Sequence, residues 1–453
     1  MEIDFFLEEL IDKVLYKKIY KISSIFHQNH FECYLVGGFL RDVLLKRAYR
    51  SKDIDIATNA RPEEVSKLFH KVIPTGIKHG TVTILFEGLK IECTTYRKEG
   101  IYRDHRHPEK IDYAKTIYDD LSRRDFTVNA FAYDVLRNKL IDLYNGMSDL
   151  EKKILRSVGN PIERFLEDGL RPIRALRFLS TLGFKLEDKT ESAIKNEAVR
   201  KSIQSISIER FTDELWKSFQ AKQTSFMLKK LYELNLLELF LPASFLKIKE
   251  PSRYWFLYLD QFSSDVFKMA LWFWSHKFSS YEVGKHWKFS NEKIQHISLY
   301  ITLIEDFIKY HPFSEFTSDE INHKLLQDYS KIEIQRKLRG FREILSKIKK
   351  ELGENSLKFL DNFKEWFLQE SFNLNEKKIQ TSKLLLEFYL WLKFSLDNEP
   401  LVIKDLAVNG IDLQKAGYQG KKIGEKLQDL LNLVLENPQH NQKDFLISKL
   451  VNP

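Results

Sequence analysis

The residues best suited to chemistry lie near the start of the chain, in Gly37-Gly38-Phe-Leu-Arg41-Asp42 and, past a basic loop, Lys52-Asp53-Ile54-Asp55-Ile56. Glycine has no Cβ, so backbone N–H groups beside it can come close to a phosphate. Two Asp residues separated by one apolar residue share a face of a strand, and their neighbours Ile54 and Ile56 turn into the core. Paired carboxylates suit a hard cation such as Mg²⁺, with substrate phosphates completing its shell. A phosphate cradle followed by a carboxylate pair points to nucleotidyl transfer. Glu92, in Lys90-Ile-Glu92-Cys-Thr-Thr-Tyr-Arg97, is the candidate third acid, although periodicity does not fix which face it occupies.

Two further clusters extend this chemistry. In Asp119-Asp-Leu-Ser-Arg123-Arg124-Asp125-Phe-Thr-Val-Asn129-Ala, adjacent Arg residues beside an acid can grip a triphosphate with forked donors; a helix-end ion pair is the structural alternative. In Glu167-Asp168-Gly-Leu-Arg171-Pro-Ile-Arg174-Ala-Leu-Arg177-Phe, acid and base three apart can pair within a helix. The same pair can read a nucleobase. A carboxylate accepts from the exocyclic amine of cytosine or adenine, and an Arg donates to the adjacent ring nitrogen. Uracil and guanine would set acceptor against acceptor and be refused. Pro172 suggests that the regular helix starts near Arg171, with Asp168 in the turn before it. Arg174 and Arg177 could reach phosphates or pack structurally.

The elements that must carry these residues change character along the chain. Residues 1–30 have helical periodicity. Phe31–Val36, Ser51–Ala57, Lys78–Phe86 and Leu89–Tyr96 read as strands, with Gly88 marking a hairpin. Arg97–Pro108 is polar and aperiodic, a surface loop by composition; its His105 and His107 lack a third metal ligand. Beyond residue 150 strand signals nearly vanish in favour of long amphipathic helices. Ser207-Ile-Glu209-Arg210 reads as a capped helix start with a structural role, and Trp255, Trp272, Trp274 and Trp287 read as core. Gly417-Tyr-Gln-Gly420-Lys421-Lys422 reads as a Gly-rich turn into a helix that could meet a nucleic-acid phosphate.

At 453 residues the chain is too long for one core, and its 43% hydrophobic and 30% charged content is ordinary for a soluble protein. The net charge of +8 suits a polyanionic partner. Two cysteines, Cys33 and Cys93, give no disulfide framework or zinc site. With neither a signal peptide nor an apolar run of membrane-spanning length, a cytoplasmic protein with no membrane association is expected.

Taken in order, Gly-Gly-x-x-Arg-Asp with Asp-x-Asp, Arg-Arg-Asp-Phe-Thr-x-Asn-Ala, Glu-Asp-x-Leu-Arg-x-x-Arg-Ala-x-Arg-Phe and Ile-x-x-Glu-Arg resemble the class II tRNA nucleotidyltransferases, the bacterial CCA-adding enzymes of the Gram-positive type. The resemblance implies an α+β, polymerase-β-like catalytic head (1–150), followed by an all-α neck for nucleobase recognition (151–220), body (221–340) and tRNA-binding tail (341–453). It implies that Asp53 and Asp55 bind Mg²⁺, with Glu92 as the third carboxylate, and that Gly38, Arg41 and Arg124 contact the triphosphate. Asp168 and Arg171 would select CTP and then ATP, with Arg174 and Arg177 lining that site. Asp104 and Arg106 match the acid and base of the flexible loop needed for the CTP-to-ATP switch. The tail, including Lys421 and Lys422, would hold the tRNA elbow while the 3′ end enters the head. A homodimer is compatible with the sequence. Poly(A) polymerases, CC-adding enzymes and a non-catalytic RNA-binding protein on the same fold are the alternatives. From the carboxylate pair, Asp53→Ala or Asp55→Ala is expected to abolish nucleotide incorporation with the fold retained. Near-normal incorporation in either variant, with circular dichroism unchanged, would refute the metal assignment.

Overall fold

The computed structural model describes residues 2–47, 54–77, 80–97, 113–245, 259–260, 262–309, 332–357, 359–361, 364, 389 and 392–450. They form two compact units, Met1–Leu241 and Pro242–Pro453.

The first unit opens with an eight-stranded sheet: β1 (Glu2–Asp4), β2 (Cys33–Val36), β3 (Ile54–Thr58), β4 (Val72–Gly76), β5 (Thr81–Phe86), β6 (Leu89–Thr95), β7 (Phe131–Asp134) and β8 (Lys139–Asp142). The spatial order is β1-β8-β7-β2-β3-β6-β5-β4. β3 and β6 pair in parallel, whereas the other neighbours are antiparallel. Glu87 and Gly88, both at positive φ, close the tight β5–β6 hairpin. Helices α1 (Lys13–Gln28), α2 (Gly37–Leu44), α3 (Pro62–Leu68), α4 (Ile117–Ser122) and α5 (Gly146–Lys152) accompany the sheet. Asp12 caps α1 by accepting from the N–H groups of Val14 and Leu15. Ile54 and Ile56 are buried on one face of β3, as the alternation requires. On the opposite face Ala57 joins Val36, Tyr96, Ile117 and Leu121 in an apolar cluster. Asp55 shares that face one step toward the strand's start.

Helical structure then takes over with α6 (Pro161–Glu167), α7 (Leu170–Leu182), α8 (Asp188–Ile194), α9 (Glu197–Gln204), α10 (Ile208–Phe219) and α11 (Thr224–Glu233). α7 is buried along most of its length and packs against α10 and α11. Arg174, Arg177 and Thr181 are its partly exposed positions. Gly183, at φ +74°, ends it in the left-handed conformation that glycine adopts without strain.

Several expectations need correction. Residues 2–4 are a strand paired with β8 rather than helix, and β4 carried no clear alternating signal; both are short edge strands whose pairing is tertiary. A two-stranded parallel ladder, β9 (Ile154–Leu155) with β10 (Lys185–Leu186), lies beyond residue 150. Ser207 occupies the cap position of α10 but makes no side-chain cap hydrogen bond. Residues 51–53, with Asp53, and 98–112, with Asp104, His105, Arg106 and His107, lie outside the described residues.

The second unit is helical among its described residues. Trp272 and Trp287 stack at 5.6 Å and are fully buried, with Phe273 and Phe278 edge-on around them, so the core reading of these two Trp residues holds. Trp274 is half-buried, and Trp255 lies outside the described residues. Gly420, at φ +55°, precedes the helix Lys421–Glu436, as the Gly-rich turn suggested. Among the described residues no helix is long and apolar enough to cross a membrane.

The turn between α6 and α7 depends on Gly169. A Cβ there would lie 2.3 Å from the carbonyl oxygen of Ser202, which α9 holds in place. Gly169→Ala is expected to destabilise the first unit by about 1–3 kcal/mol through this backbone clash. Denaturant unfolding checks it; an unchanged midpoint would show that α9 yields.

Candidate active site

The parallel register of β3 and β6 sets Asp55 beside Glu92. Neighbouring strands run about 4.8 Å apart and opposed residues share a face, so the two carboxylates emerge together. This settles the face of Glu92, which alternation alone left open. The chain then turns from β2 into α2 at Gly37, whose φ is +73°. A Cβ on Gly37 would lie 2.6 Å from Asp55 Oδ2. Glycine is therefore required twice over, by its backbone conformation and by the approach of the carboxylate. The head of α2 presents Gly37 and Gly38 to the same space, the arrangement in which helix N–H groups receive anions.

That space is a cavity of about 810 Å³. Asp55 and Glu92 line it together with nine cationic side chains: Arg41, Arg97, Arg123, Arg124, Arg171, Arg174, Arg177, Arg210 and Lys217. Asp125 and Asp168 are its other acids. The donors on β3 and β6 are carboxylate oxygens, which fit a hard divalent cation rather than a soft one. Among the described residues no group of three His, Cys, Asp or Glu side chains is placed to hold a metal, and Asp53 is not among them.

The arginines are anchored by acids. Arg41 donates to Asp42 Oδ1 through Nε (2.9 Å) and Nη2 (2.8 Å) and to Asn129 Oδ1 through Nη1 (2.8 Å). Asp120, buried on α4, accepts from Arg123 (2.6 and 3.0 Å), Arg124 (3.0 Å) and the backbone N–H of Arg97 (3.2 Å). Asp125 accepts from Arg174 (2.7 and 3.0 Å) and Asn129 (3.1 Å). Glu214 accepts from Arg177 (2.6 Å) and Lys217 (2.9 Å). Burial alone would raise the pKa of Asp120, but Arg123 and Arg124 outweigh it and lower it to about 2. Asp125 is likewise lowered to about 2, burial being outweighed by Arg174 and the Asn129 hydrogen bond.

Asp168 lies in the turn before α7, where the position of Pro172 suggested. From there it can line the cavity with Arg177, which on a straight helix would face away from it. Its carboxylate accepts from Leu170 N–H (3.0 Å) and from Arg210 Nη2 at both oxygens (3.0 and 2.9 Å). Arg171 bonds Glu167 and donates to the carbonyls of Arg164 (2.9 Å) and Arg123 (3.0 Å).

The cavity thus gathers Gly38, Arg41, Asp55, Glu92, Arg124, Asp168, Arg171, Arg174 and Arg177. Lys421 and Lys422 are not among its residues; both are exposed at the start of a helix in the second unit, Lys421 beside Glu425 at 3.7 Å. Arg210, Lys217, Asn129, Asp125 and Phe178 also line the cavity, beyond the site residues the sequence points to. Arg210, Glu214 and Lys217 were legible in principle, because positions i, i+4 and i+7 share one face of a helix.

Residues 33–156 match the family described as the poly A polymerase head domain, and residues 183–245 the family described as the probable RNA and SrmB-binding site of polymerase A. A CCA-adding enzyme of Enterococcus faecalis is 31% identical over 427 residues, covering 92% of this chain and 91% of that protein. One from Bacillus cytotoxicus is 38% identical over 62% of this chain and 70% of its own length. The alignment with the Lactobacillus helveticus CCA-adding enzyme, at 50% identity, spans 41% of this chain and about half of that protein's length (46%). The Bacillus stearothermophilus CCA-adding enzyme in complex with CTP superposes with a TM-score of 0.73 at 25% identity, over 97% of both chains.

The buried acids generate a pH prediction. A carboxyl lowered from about 3.9 in the unfolded chain to about 2 in the fold stabilises above pH 4. That contribution, on the order of 2 kcal/mol, is lost as pH falls from about 4 through 2. Asp125→Asn is therefore expected to unfold at lower temperature than the parent at pH 7, with the gap narrowing below pH 4. Melting curves between pH 2 and 7 check this, and a gap independent of pH would refute it.

Proposed function

This chain belongs to the CCA-adding enzyme family of nucleotidyltransferases, and from that membership we propose that it adds C, C and A to the 3′ end of tRNA, using CTP and ATP and releasing pyrophosphate. The observation that carries the reading is the convergence in one cavity of Asp55 and Glu92, the arginine-rich wall and the Asp168–Arg171 turn. Mg²⁺ is the cation proposed for Asp53 and Asp55, with Glu92 as the third carboxylate; when bound it would lower the pKa of the attacking hydroxyl and neutralise charge on the leaving pyrophosphate.

The chain's own residues supply positioning and charge. The N–H groups at the head of α2, around Gly38, receive phosphate oxygens, and Arg41 and Arg124 grip the triphosphate with forked donors. Held there, the α-phosphorus is open to in-line attack by the terminal tRNA hydroxyl. Asp168 accepts from the exocyclic amine of cytosine or adenine while Arg171 donates to the neighbouring ring nitrogen. UTP and GTP are refused because a carbonyl would face the carboxylate. Arg210 supports this role by holding the Asp168 oxygens. Arg174 and Arg177 complete the wall.

On the same reading residues 1–150 form the head, 151–220 the neck, 221–340 the body and 341–453 the tail. Asp104 and Arg106 act in the loop that switches from CTP to ATP. Lys421 and Lys422 meet phosphates of the tRNA elbow, and the protein works in the cytoplasm. Homodimer formation is compatible with all of this.

A tRNA lacking its CCA end is expected to gain two residues from CTP alone and a third when ATP is added, only with Mg²⁺ present. Extension that still stops at two residues when ATP is added, or a long A tract from ATP, would make it a CC-adding enzyme or a poly(A) polymerase. No extension would leave an RNA-binding protein. Asp168→Ala is expected to admit UTP and GTP by at least tenfold relative to the parent. Unchanged refusal would defeat the assignment of Asp168 as the base reader.

A further inference from the structure

One cavity residue carries no charge and no hydrogen-bonding group, yet the cations gather on it. Phe178, 3% exposed, has the guanidinium carbon of Arg177 at 3.7 Å from its ring centroid, that of Arg41 at 5.3 Å and that of Arg174 at 5.7 Å. Arg41 comes from α2, the others from α7. The ring is fixed edge-on against Phe126 at 5.6 Å and 80°.

Three like charges this close repel one another. Asp42, Asp125 and Glu214 each hold one of them. These acids lie on different segments and give the three arginines no common support. The face of an aromatic ring carries a negative quadrupole and attracts a cation from any direction over it, most strongly where water is excluded. A Leu would fill similar apolar space without that attraction.

We propose that Phe178 is a positioning residue for the nucleotide: its ring gathers Arg41, Arg174 and Arg177 into one cationic surface that receives the triphosphate. The proposal rests on reading the cavity as the nucleotide site. It binds head and neck contributions together through one ring, so triphosphate affinity depends on the electronics of that ring as well as on its volume.

The test uses the full-length protein and three probes: CTP, inorganic tripolyphosphate and cytidine. Phenylalanines with one, two and three ring fluorines at position 178 keep the shape while draining the quadrupole; Phe178→Leu removes it. Calorimetric affinity for CTP and for tripolyphosphate is expected to fall stepwise with fluorination, reaching about tenfold (about 1.4 kcal/mol) in the trifluoro and Leu variants. Cytidine affinity is expected to stay within twofold. Equal triphosphate affinity across the fluorinated series would overturn the role of Phe178 while leaving the nucleotide reading intact, even if Phe178→Leu fails to fold. Failure of the parent to bind CTP or tripolyphosphate would overturn both.

Discussion

Crowding of positive charge is the constraint on which the first unit depends. Guanidinium groups from α2, from the loop after α4, from α7 and from α10 converge on a single cavity. Left alone they would repel and swing toward water. Buried carboxylates prevent this: Asp120 restrains Arg123 and Arg124, Asp125 restrains Arg174, and Glu214 restrains Arg177 and Lys217. These acids are themselves desolvated, so each pair is mutually obligatory; removing one partner strands a charge in a low-dielectric site. The depressed pKa values of Asp120 and Asp125 express the same coupling.

A wall built this way is ready before an anion arrives. A triphosphate carries its own negative charge and needs donors already aimed at it, because reorienting long side chains during binding costs entropy. Anchoring by acids sets the forks in advance. The cations still exceed the acids among the lining residues, so the cavity stays attractive to a polyanion.

The sheet and the helices after it meet through a few specific contacts. Arg171 on α7 donates to the carbonyl of Arg123, Arg174 reaches Asp125, and Phe178 packs on Phe126. α7 is therefore the element that couples the arginine-rich wall of the cavity to the turn bearing Asp168. Its burial on most sides holds it rigid, and Gly169 lets the preceding turn press against α9. A packed helix and a sheet thus brace the loop and the turn that carry the remaining cavity residues.

Much of this was legible in the residues. Alternation around Asp55 buried Ile54 and Ile56, Gly88 marked the hairpin, and the change of period near residue 150 separated sheet from helices, because each is a local property of the chain. Pro172 likewise set the start of α7 and put Asp168 in the turn. The short edge strands β1 and β4 were not legible, since their length gives no periodicity and their partners are remote in sequence. Nor could alternation choose the face of Glu92; only parallel pairing of β3 with β6 sets it beside Asp55. The partners of the arginines were hidden for the same reason, with Arg174 and Asp125 49 residues apart and Arg210 and Asp168 42 apart. By itself the sequence determined which groups can do chemistry and which local elements bear them, because spacing fixes faces. Only the tertiary structure decided which acid holds which base and what shares the cavity, because those pairings depend on packing between distant segments.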